Sequence, residues 1–90
     1  MSRYKVEYTP AAIKQIKKLD GSTRKLIRAW IEKNLVGCKD PRAHGKGLSG
    51  DKSGQWRYRI GDYRLLAIIL DDRIVIQIFQ VGHRRLVYKK

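Results

Sequence analysis

The sequence predicts an α+β fold in which a helix hairpin packs on one face of a twisted, mainly antiparallel β-sheet. Three features of the chain point to this fold. A short strand opens it, two segments with apolar residues at helical spacing follow, and a β-meander fills the C-terminal third. We expect residues 1–90 to form a single domain, because a chain of 90 residues has room for only one hydrophobic core.

The N-terminal segments predict one strand and two antiparallel helices. Tyr4–Tyr8 alternates with a period of two residues, which is typical of a half-buried strand. Thr9-Pro10 starts the first helix, with threonine as its cap and proline in its first turn. Asp20-Gly21 ends that helix, and Ser22 can cap the second. The predicted apolar stripes are Ala12, Ile13, Ile16 and Leu19 on the first helix, and Leu26, Ile27, Trp30, Ile31 and Leu35 on the second.

The middle of the chain, residues 36–54, lacks apolar periodicity and is punctuated by glycines. We expect a flexible connection there, with His44 as a packing residue of the loop. The single cysteine, Cys38, cannot form an internal disulfide, which fits a reducing compartment. The longest apolar run, Leu65–Leu70, is too short to cross a bilayer, and no signal peptide is recognised. We therefore expect a cytoplasmic protein without a membrane partner.

A tight hairpin is predicted around Gly61. As the first loop residue, a glycine suits a type II′ turn, whose twist matches that of the flanking strands. If Ile60 pairs with Tyr63, then Arg59 lies directly opposite Arg64 on the same face of the sheet. A second turn is predicted at Asp71-Asp72, with the strands on either side paired immediately next to it.

Three arginines are expected to gather on the sheet face that the helices leave open. Opposed like charges destabilise a sheet, so a ligand is the natural reason to hold them together. The predicted open face carries Arg57, Arg59, Arg64, Gln77 and Phe79, with His83, Arg84 and Tyr88 at its rim. The chain has 21 Lys and Arg against 8 Asp and Glu, a net charge of +13, which favours nucleic acid as a partner.

The residue inventory suits metal-free cleavage of RNA. The sequence has no zinc-ligand spacing, no Ser-His-Asp context and no carboxylate cluster on the basic face, so we expect neither a metal nor a cofactor. Guanidiniums can stabilise a phosphorane while an RNA 2′-hydroxyl attacks the adjacent phosphate. Tyr58, Tyr88 or Phe79 can stack on a base. Passive phosphate binding accounts for the same residues equally well.

Taken in order, the chain resembles the RelE/ParE superfamily of bacterial type II toxins. The resemblance runs from the N-terminal strand through Thr9-Pro10-Ala11-Ala12, Leu48-Ser49-Gly50 and Trp56–Arg64 to Gly82–Tyr88, which is similar to the RelE-like branch. It implies a toxin that cleaves mRNA in the ribosomal A site and is silenced by a cognate antitoxin protein. It also implies that operator DNA is contacted only indirectly, through the antitoxin.

The resemblance also implies roles for individual residues. Arg64 and Arg84 match the two phosphate-stabilising arginines of the family, and Tyr88 lies near its C-terminal catalytic tyrosine. Arg57 and Arg59 stand where a RelE-type enzyme has lysines, and a guanidinium holds its proton too firmly to act as a base. These two arginines are therefore expected to bind RNA phosphate, which leaves His83 as the candidate base. The alternatives are a ParE-like inhibitor of DNA gyrase and a non-catalytic RNA-binding module.

Overall fold

A computed structural model describes residues 3–47 and 54–83 of the chain. Over these ranges it contains two helices and one five-stranded sheet with the strand order β1-β5-β4-β3-β2. The elements are β1 (Lys5–Tyr8), α1 (Pro10–Lys17), α2 (Gly21–Asn34), β2 (Lys46–Gly47), β3 (Gln55–Ile60), β4 (Tyr63–Leu70) and β5 (Val75–His83). β1 is parallel to β5 and the other neighbours are antiparallel, which confirms the predicted α+β fold.

The start of α1 is formed as its sequence predicts. The Thr9 hydroxyl oxygen accepts a hydrogen bond from the Ala12 backbone N–H at 3.2 Å, and Pro10 occupies the first helical position. The second helix begins earlier than predicted, because Asp20 and not Ser22 is its capping residue. The Ser22 hydroxyl instead donates a 2.7 Å hydrogen bond to the Asp20 carboxylate.

The hydrophobic core lies between the helix hairpin and one face of the sheet. Its fully or nearly buried members are Ala12, Ile27, Ile31, Leu35, Tyr58, Ile60, Leu65, Ala67, Ile76, Ile78 and Val81. Of the predicted helical stripes, Ile16, Leu19 and Trp30 are partly buried against this core, whereas Ile13 is 43% exposed and Leu26 is 55% exposed. The buried stripes of both helices are therefore narrower than their sequences suggest, and apolar surface remains on the hairpin.

The β3–β4 hairpin has the predicted register. Ile60 pairs with Tyr63 and Arg59 with Arg64, so the two arginines oppose each other directly. Gly61 has a φ of +59°. A positive φ at the first loop position is what a type II′ turn requires, and a glycine adopts it without steric cost.

The β4–β5 connection is longer than predicted. Leu70 pairs with Val75 instead of Arg73, and the turn occupies residues 71–74. The Arg73 N–H donates to the Leu70 carbonyl at 3.1 Å. A two-residue shift in register keeps every side chain on its predicted face, because the side-chain period of a strand is two. The predicted register was therefore wrong next to the turn while the predicted faces were right.

A β-bulge at Phe79 changes the faces further along β5. Leu66 pairs with Gln80 and Ala67 with Ile78, which leaves Phe79 as the extra residue on β5. Beyond the bulge the alternation is reversed. Val81 lies in the core at 3% exposure, and His83 pairs with Tyr63 on the helix-covered side of the sheet.

Replacing Ile74 by asparagine should stabilise the protein by about 1 kcal/mol. Ile74 has a φ of +56°, in the left-handed region that β-branched residues avoid and asparagine tolerates. Its backbone N–H and carbonyl hydrogen bonds, to Asp71 and Lys5, do not depend on the side chain. Chemical denaturation should show a higher midpoint for Ile74→Asn. Arg73→Asn in the same turn is the control and should be neutral, and equal effects of the two changes would contradict the assignment of strain to Ile74.

Candidate functional site

A cationic cleft opens beside β3 and β4. It has a volume of about 280 Å³ and is lined by Gly45, Lys46, Arg57, Arg59 and Arg64. No carboxylate lines it within the described part of the chain. The β2–β3–β4 pairing explains the clustering, because Lys46 pairs with Arg57 and Arg59 pairs with Arg64. The arginines predicted to share a face are thus confirmed as neighbours in a concave site.

Arg64 is the most buried charged residue of the cleft, with only 8% of its surface exposed. Its Nη1 lies 3.4 Å from the Tyr63 carbonyl oxygen, and Arg59 opposes it across the β3–β4 pair. Removing a cation from water next to another cation costs free energy. An anionic ligand would offset that cost, which makes Arg64 the centre of the candidate site.

Tyr58 does not line the cleft, and its predicted role in base stacking was wrong. Its side chain is fully buried beneath α2, with its ring 5.6 Å from that of Trp30. The Tyr58 hydroxyl donates a 2.6 Å hydrogen bond to the Pro41 carbonyl, and burial raises the pKa of the phenol well above its usual value. Directly opposed residues share a face, and Tyr58 opposes the core residue Leu65.

The bulge also changes which residues of β5 lie near the arginines. Gln77 is on the predicted face, but it opposes Ile68, two positions along β4 from Leu66 and four from Arg64. Phe79 is the bulged residue, and Gln80 takes the position opposite Leu66, in line with Arg57. The sequence contains one signal for this bulge. The apolar residues are two positions apart at Ile76 and Ile78 but three apart at Ile78 and Val81.

His83 lies on the other face of the sheet from the arginine pair. It pairs with Tyr63, and the two rings meet edge to face with centroids 5.5 Å apart. Gly82, not His83, is the residue opposite Arg64. The predicted position of His83 at the rim of the arginine face was therefore wrong, because the bulge reverses the alternation before the strand ends. Arg84 and Tyr88 lie outside the described residues, as does the Leu48-Ser49-Gly50 segment.

The segment Pro41–Gly47, predicted as a flexible connection, supplies one wall of the cleft. The sequence did not predict Lys46 as a site residue. A strand of only two residues, Lys46–Gly47, is too short to show a periodic pattern. The Trp56 Nε1–H donates a 2.6 Å hydrogen bond to the His44 carbonyl. The His44 ring packs edge to face on Trp30 at 5.7 Å, so its predicted packing role is confirmed.

A second set of contacts ties the same segment to the β4–β5 turn. Arg42 makes a two-pronged ion pair with Asp71, at 3.1 and 2.9 Å, and the Tyr4 hydroxyl donates to the same carboxylate at 2.7 Å. These hydrogen bonds, first from Arg42 and then from Tyr4, lower the pKa of Asp71. The carboxylate is thus stabilised in its charged form.

Acidification should remove the contribution of this ion pair. A lowered pKa in the folded state stabilises the protein above the unfolded-state pKa of about 3.9, and that stabilisation is lost as the pH falls through the folded-state value. The melting temperature of Asp71→Asn should therefore be below that of the unmodified protein at pH 6, and the difference should shrink towards pH 2. Asp72→Asn, at the neighbouring exposed carboxylate, is the control. A difference that does not change with pH would contradict this role of Asp71.

A second concave surface lies on the helix hairpin, away from the cleft. It has a volume of about 390 Å³ and combines apolar side chains with charged ones: Tyr8, Ile13, Ile16, Lys17, Arg24, Arg28 and Glu32. The exposed side chain of Ile13 lies in the lining of this surface. Within residues 3–47 and 54–83, neither helix is long and apolar enough to cross a membrane.

Residues 6–88 match the family model described as the ParE toxin of the type II toxin–antitoxin system, parDE. The chain belongs to the ParE toxin family. Family members are toxins of type II toxin–antitoxin systems, and the solved structures described next extend the relationship to the wider RelE/ParE superfamily, as the sequence predicts.

Solved RelE-type toxins share the fold of this ParE-family chain. The toxin–antitoxin complex RelBE2 from Mycobacterium tuberculosis superposes with a TM-score of 0.82 at 29% identity, covering 91% of this chain and 99% of that one. The isolated E. coli RelE toxin gives 0.73 at 22% identity, covering 89% and 83%. The RelB–RelE complex from Methanococcus jannaschii gives 0.69 at 24% identity, covering 91% and 94%. No curated protein matches the sequence.

Proposed function

We propose that this toxin is a metal-independent endoribonuclease that cleaves mRNA in the ribosomal A site and so inhibits translation. The cationic cleft is the observation that carries the proposal, because it holds a nearly buried Arg64 directly opposite Arg59. An RNA phosphate fits the charge and the donor geometry of such a site. The fold shared with RelE structures agrees with this activity. A ribosomal target would place the protein in the cytoplasm.

The reaction needs charge stabilisation more than new covalent chemistry. The RNA 2′-oxygen forms a bond to the adjacent phosphorus and loses its proton, while the bond from phosphorus to the 5′-oxygen breaks and that oxygen gains a proton. The products are a 2′,3′-cyclic phosphate and a 5′-hydroxyl. Arg64 is proposed to stabilise the phosphorane charge, and Arg57 and Arg59 to bind the flanking phosphates.

Two further roles in the reaction are proposed for residues near the C-terminus. Arg84 is proposed as the second phosphorane-stabilising arginine, and Tyr88 as the acid or as a stacking group for a base. His83 does not serve as the base, because its ring lies against Tyr63 on the helix-covered side of the sheet. Gln80 contributes a polar group in line with Arg57 on the cleft side.

Mapping of mRNA ends on programmed ribosomes tests the proposal. The protein is incubated with ribosomes that hold a defined codon in the A site, and the 5′ ends of the mRNA fragments are mapped by primer extension. Cuts within the A-site codon are expected, at the Mg²⁺ concentration that keeps the ribosomes intact. Ribosomes without added protein are the control, and an uncut mRNA would contradict the proposal.

A ParE-like inhibitor of DNA gyrase is the second candidate function. The observation in its favour is the family model, which is that of the ParE toxin. Such a protein would bind gyrase and cleave nothing itself. A supercoiling assay with purified gyrase separates the two functions, since only the inhibitor would stop supercoiling. RNA binding without cuts and without gyrase inhibition would identify a non-catalytic RNA-binding module.

We also propose a small acidic antitoxin as the cognate partner. The RelBE2 and RelB–RelE structures each contain an antitoxin bound to the similar toxin. The groove on the helix hairpin offers apolar contacts from Ile13 and Ile16. Its three cations, Lys17, Arg24 and Arg28, outnumber its one carboxylate, Glu32, so it is complementary to an acidic amphipathic segment. Operator DNA would be contacted through the antitoxin. Co-purification with the product of a neighbouring acidic reading frame tests this partner.

A further inference from the structure

The segment Pro41–Gly47 forms the side of the cleft next to Arg57. Gly45 and Lys46 line the cleft from this wall, and Lys46 pairs directly with Arg57 across β2 and β3. An ammonium group thus joins three guanidiniums around one space of about 280 Å³. Lys46 therefore adds a fourth cation to the lining of the cleft, where the charges together favour an anionic ligand.

The wall is held in place by the strand that carries two of the arginines. Along β3 the side chains alternate: Arg57 and Arg59 enter the cleft, while Trp56 and Tyr58 point to the helix side. Trp56 donates to the His44 carbonyl and Tyr58 to the Pro41 carbonyl, each at 2.6 Å. The strand β3 therefore presents two of the arginines and also holds the wall that carries Lys46 beside them.

A glycine is needed where the wall touches β3. A Cβ atom at Gly45 would collide with the Arg57 carbonyl oxygen and lie 2.9 Å from Trp56 Nε1, and Gly45 has a φ of +79°. The backbone of the wall thus lies directly against β3 at this point. This contact sets the position of the next residue, Lys46, relative to Arg57.

We infer that Lys46 is a further phosphate-binding residue of the RNA site, and that Trp56 and Tyr58 are positioning residues that hold it there through the Pro41–Gly47 wall. The inference rests on the proposed RNA-cleaving function and deepens it. An ammonium group is a compact charge with three donors, whereas the guanidiniums beside it bind in a fixed plane. Lys46 therefore binds a phosphate next to the one engaged by Arg64.

Binding to a short single-stranded RNA, made uncleavable by 2′-deoxy substitution, tests the role of Lys46. Lys46→Gln should weaken binding roughly 5- to 10-fold at low salt and reduce the slope of log K against log salt by about 0.7, the value for one lost phosphate contact. Lys46→Arg should restore most of the slope. Lys5→Gln, on the edge strand at the far side of the sheet, removes the same charge and should leave the slope unchanged.

A double-mutant cycle tests the positioning residues. Tyr58→Phe removes the hydrogen bond to the Pro41 carbonyl and should weaken RNA binding about threefold when Lys46 is present. The same change should have almost no effect in the Lys46→Gln background, because the wall then carries no ammonium to misplace. Equal effects in both backgrounds would overturn the positioning role of Tyr58.

The outcomes for Lys46 and for the proposed function can be told apart. If the unmodified protein cuts mRNA on ribosomes, and Lys46→Gln and Lys5→Gln bind and cut alike, the inference about Lys46 is overturned while the function stands. If the unmodified protein does not cut, the proposed function fails. Even in that case, a salt slope that is reduced for Lys46→Gln but not for Lys5→Gln would support Lys46 as a phosphate ligand.

Discussion

Replacing Arg64 by alanine should reduce the rate of mRNA cleavage on ribosomes by about 100- to 1000-fold. This is the usual loss when one preorganised donor to a developing negative charge is removed. Arg64 has only 8% of its surface exposed, so its guanidinium is held more firmly than that of the exposed Arg59 opposite it. Single-turnover rates on programmed ribosomes measure the effect.

Stability measurements distinguish a catalytic role of Arg64 from a structural one. The Arg64→Ala variant should keep a cooperative unfolding transition, which shows that it is folded, while activity is lost. Arg73→Ala, in the exposed β4–β5 turn, removes the same charge and should cut normally. Arg64→Lys should retain only part of the rate, since an ammonium cannot bind a phosphate in two-pronged fashion. An Arg64→Ala variant that cuts within threefold of the unmodified protein would contradict our assignment.

Gly45→Ala should destabilise the protein by about 3 kcal/mol and abolish most of the cleavage activity. The new methyl group would collide with the Arg57 carbonyl oxygen, so the Pro41–Gly47 wall must leave β3. Detachment would expose Trp56, whose indole now donates to the His44 carbonyl. A red shift of tryptophan fluorescence under native conditions is therefore expected together with the lower denaturation midpoint.

Gly37→Ala is a matched control for this collision. Gly37 has a φ of +73°, close to the +79° of Gly45, but a Cβ atom there would meet nothing within 4 Å. Gly37→Ala should therefore destabilise the protein only through the strain of alanine in a left-handed backbone conformation, by about 1 kcal/mol. If the two substitutions destabilise the protein equally, contact between Gly45 and β3 does not hold the wall.

Local sequence signals predicted the parts of the fold that local interactions determine. Thr9-Pro10 marks the start of α1 because capping involves only neighbouring residues. Gly61 gives the register of the β3–β4 hairpin because a two-residue turn leaves one pairing available. From these two signals follow the helix hairpin, the opposed pair of Arg59 and Arg64, and the face on which a ligand would bind.

The rest depends on contacts between residues far apart in the chain. Tyr58 looked like an aromatic side chain available for stacking, but its hydroxyl meets the Pro41 carbonyl, 17 residues earlier. Lys46 enters the cleft only because Trp56 and Tyr58 hold its segment against β3. His83 changed faces because of a bulge whose only signal is a skipped residue in an apolar alternation. The periodic spacing of residues in a helix or a strand does not predict any of these contacts.

The bulge at Phe79 has a consequence for comparing this toxin with its relatives. A single extra residue decides which side of the sheet receives everything that follows it on β5. Two chains can therefore have identical residues after the bulge position and still present these side chains on opposite faces of the sheet, if one chain lacks the bulge. An aligned histidine or arginine near the C-terminus is equivalent in space only when the extra residue occurs at the same place. Deleting Phe79 would turn Val81 and His83 over together, so the end of β5 can gain or lose a function through a change in length alone.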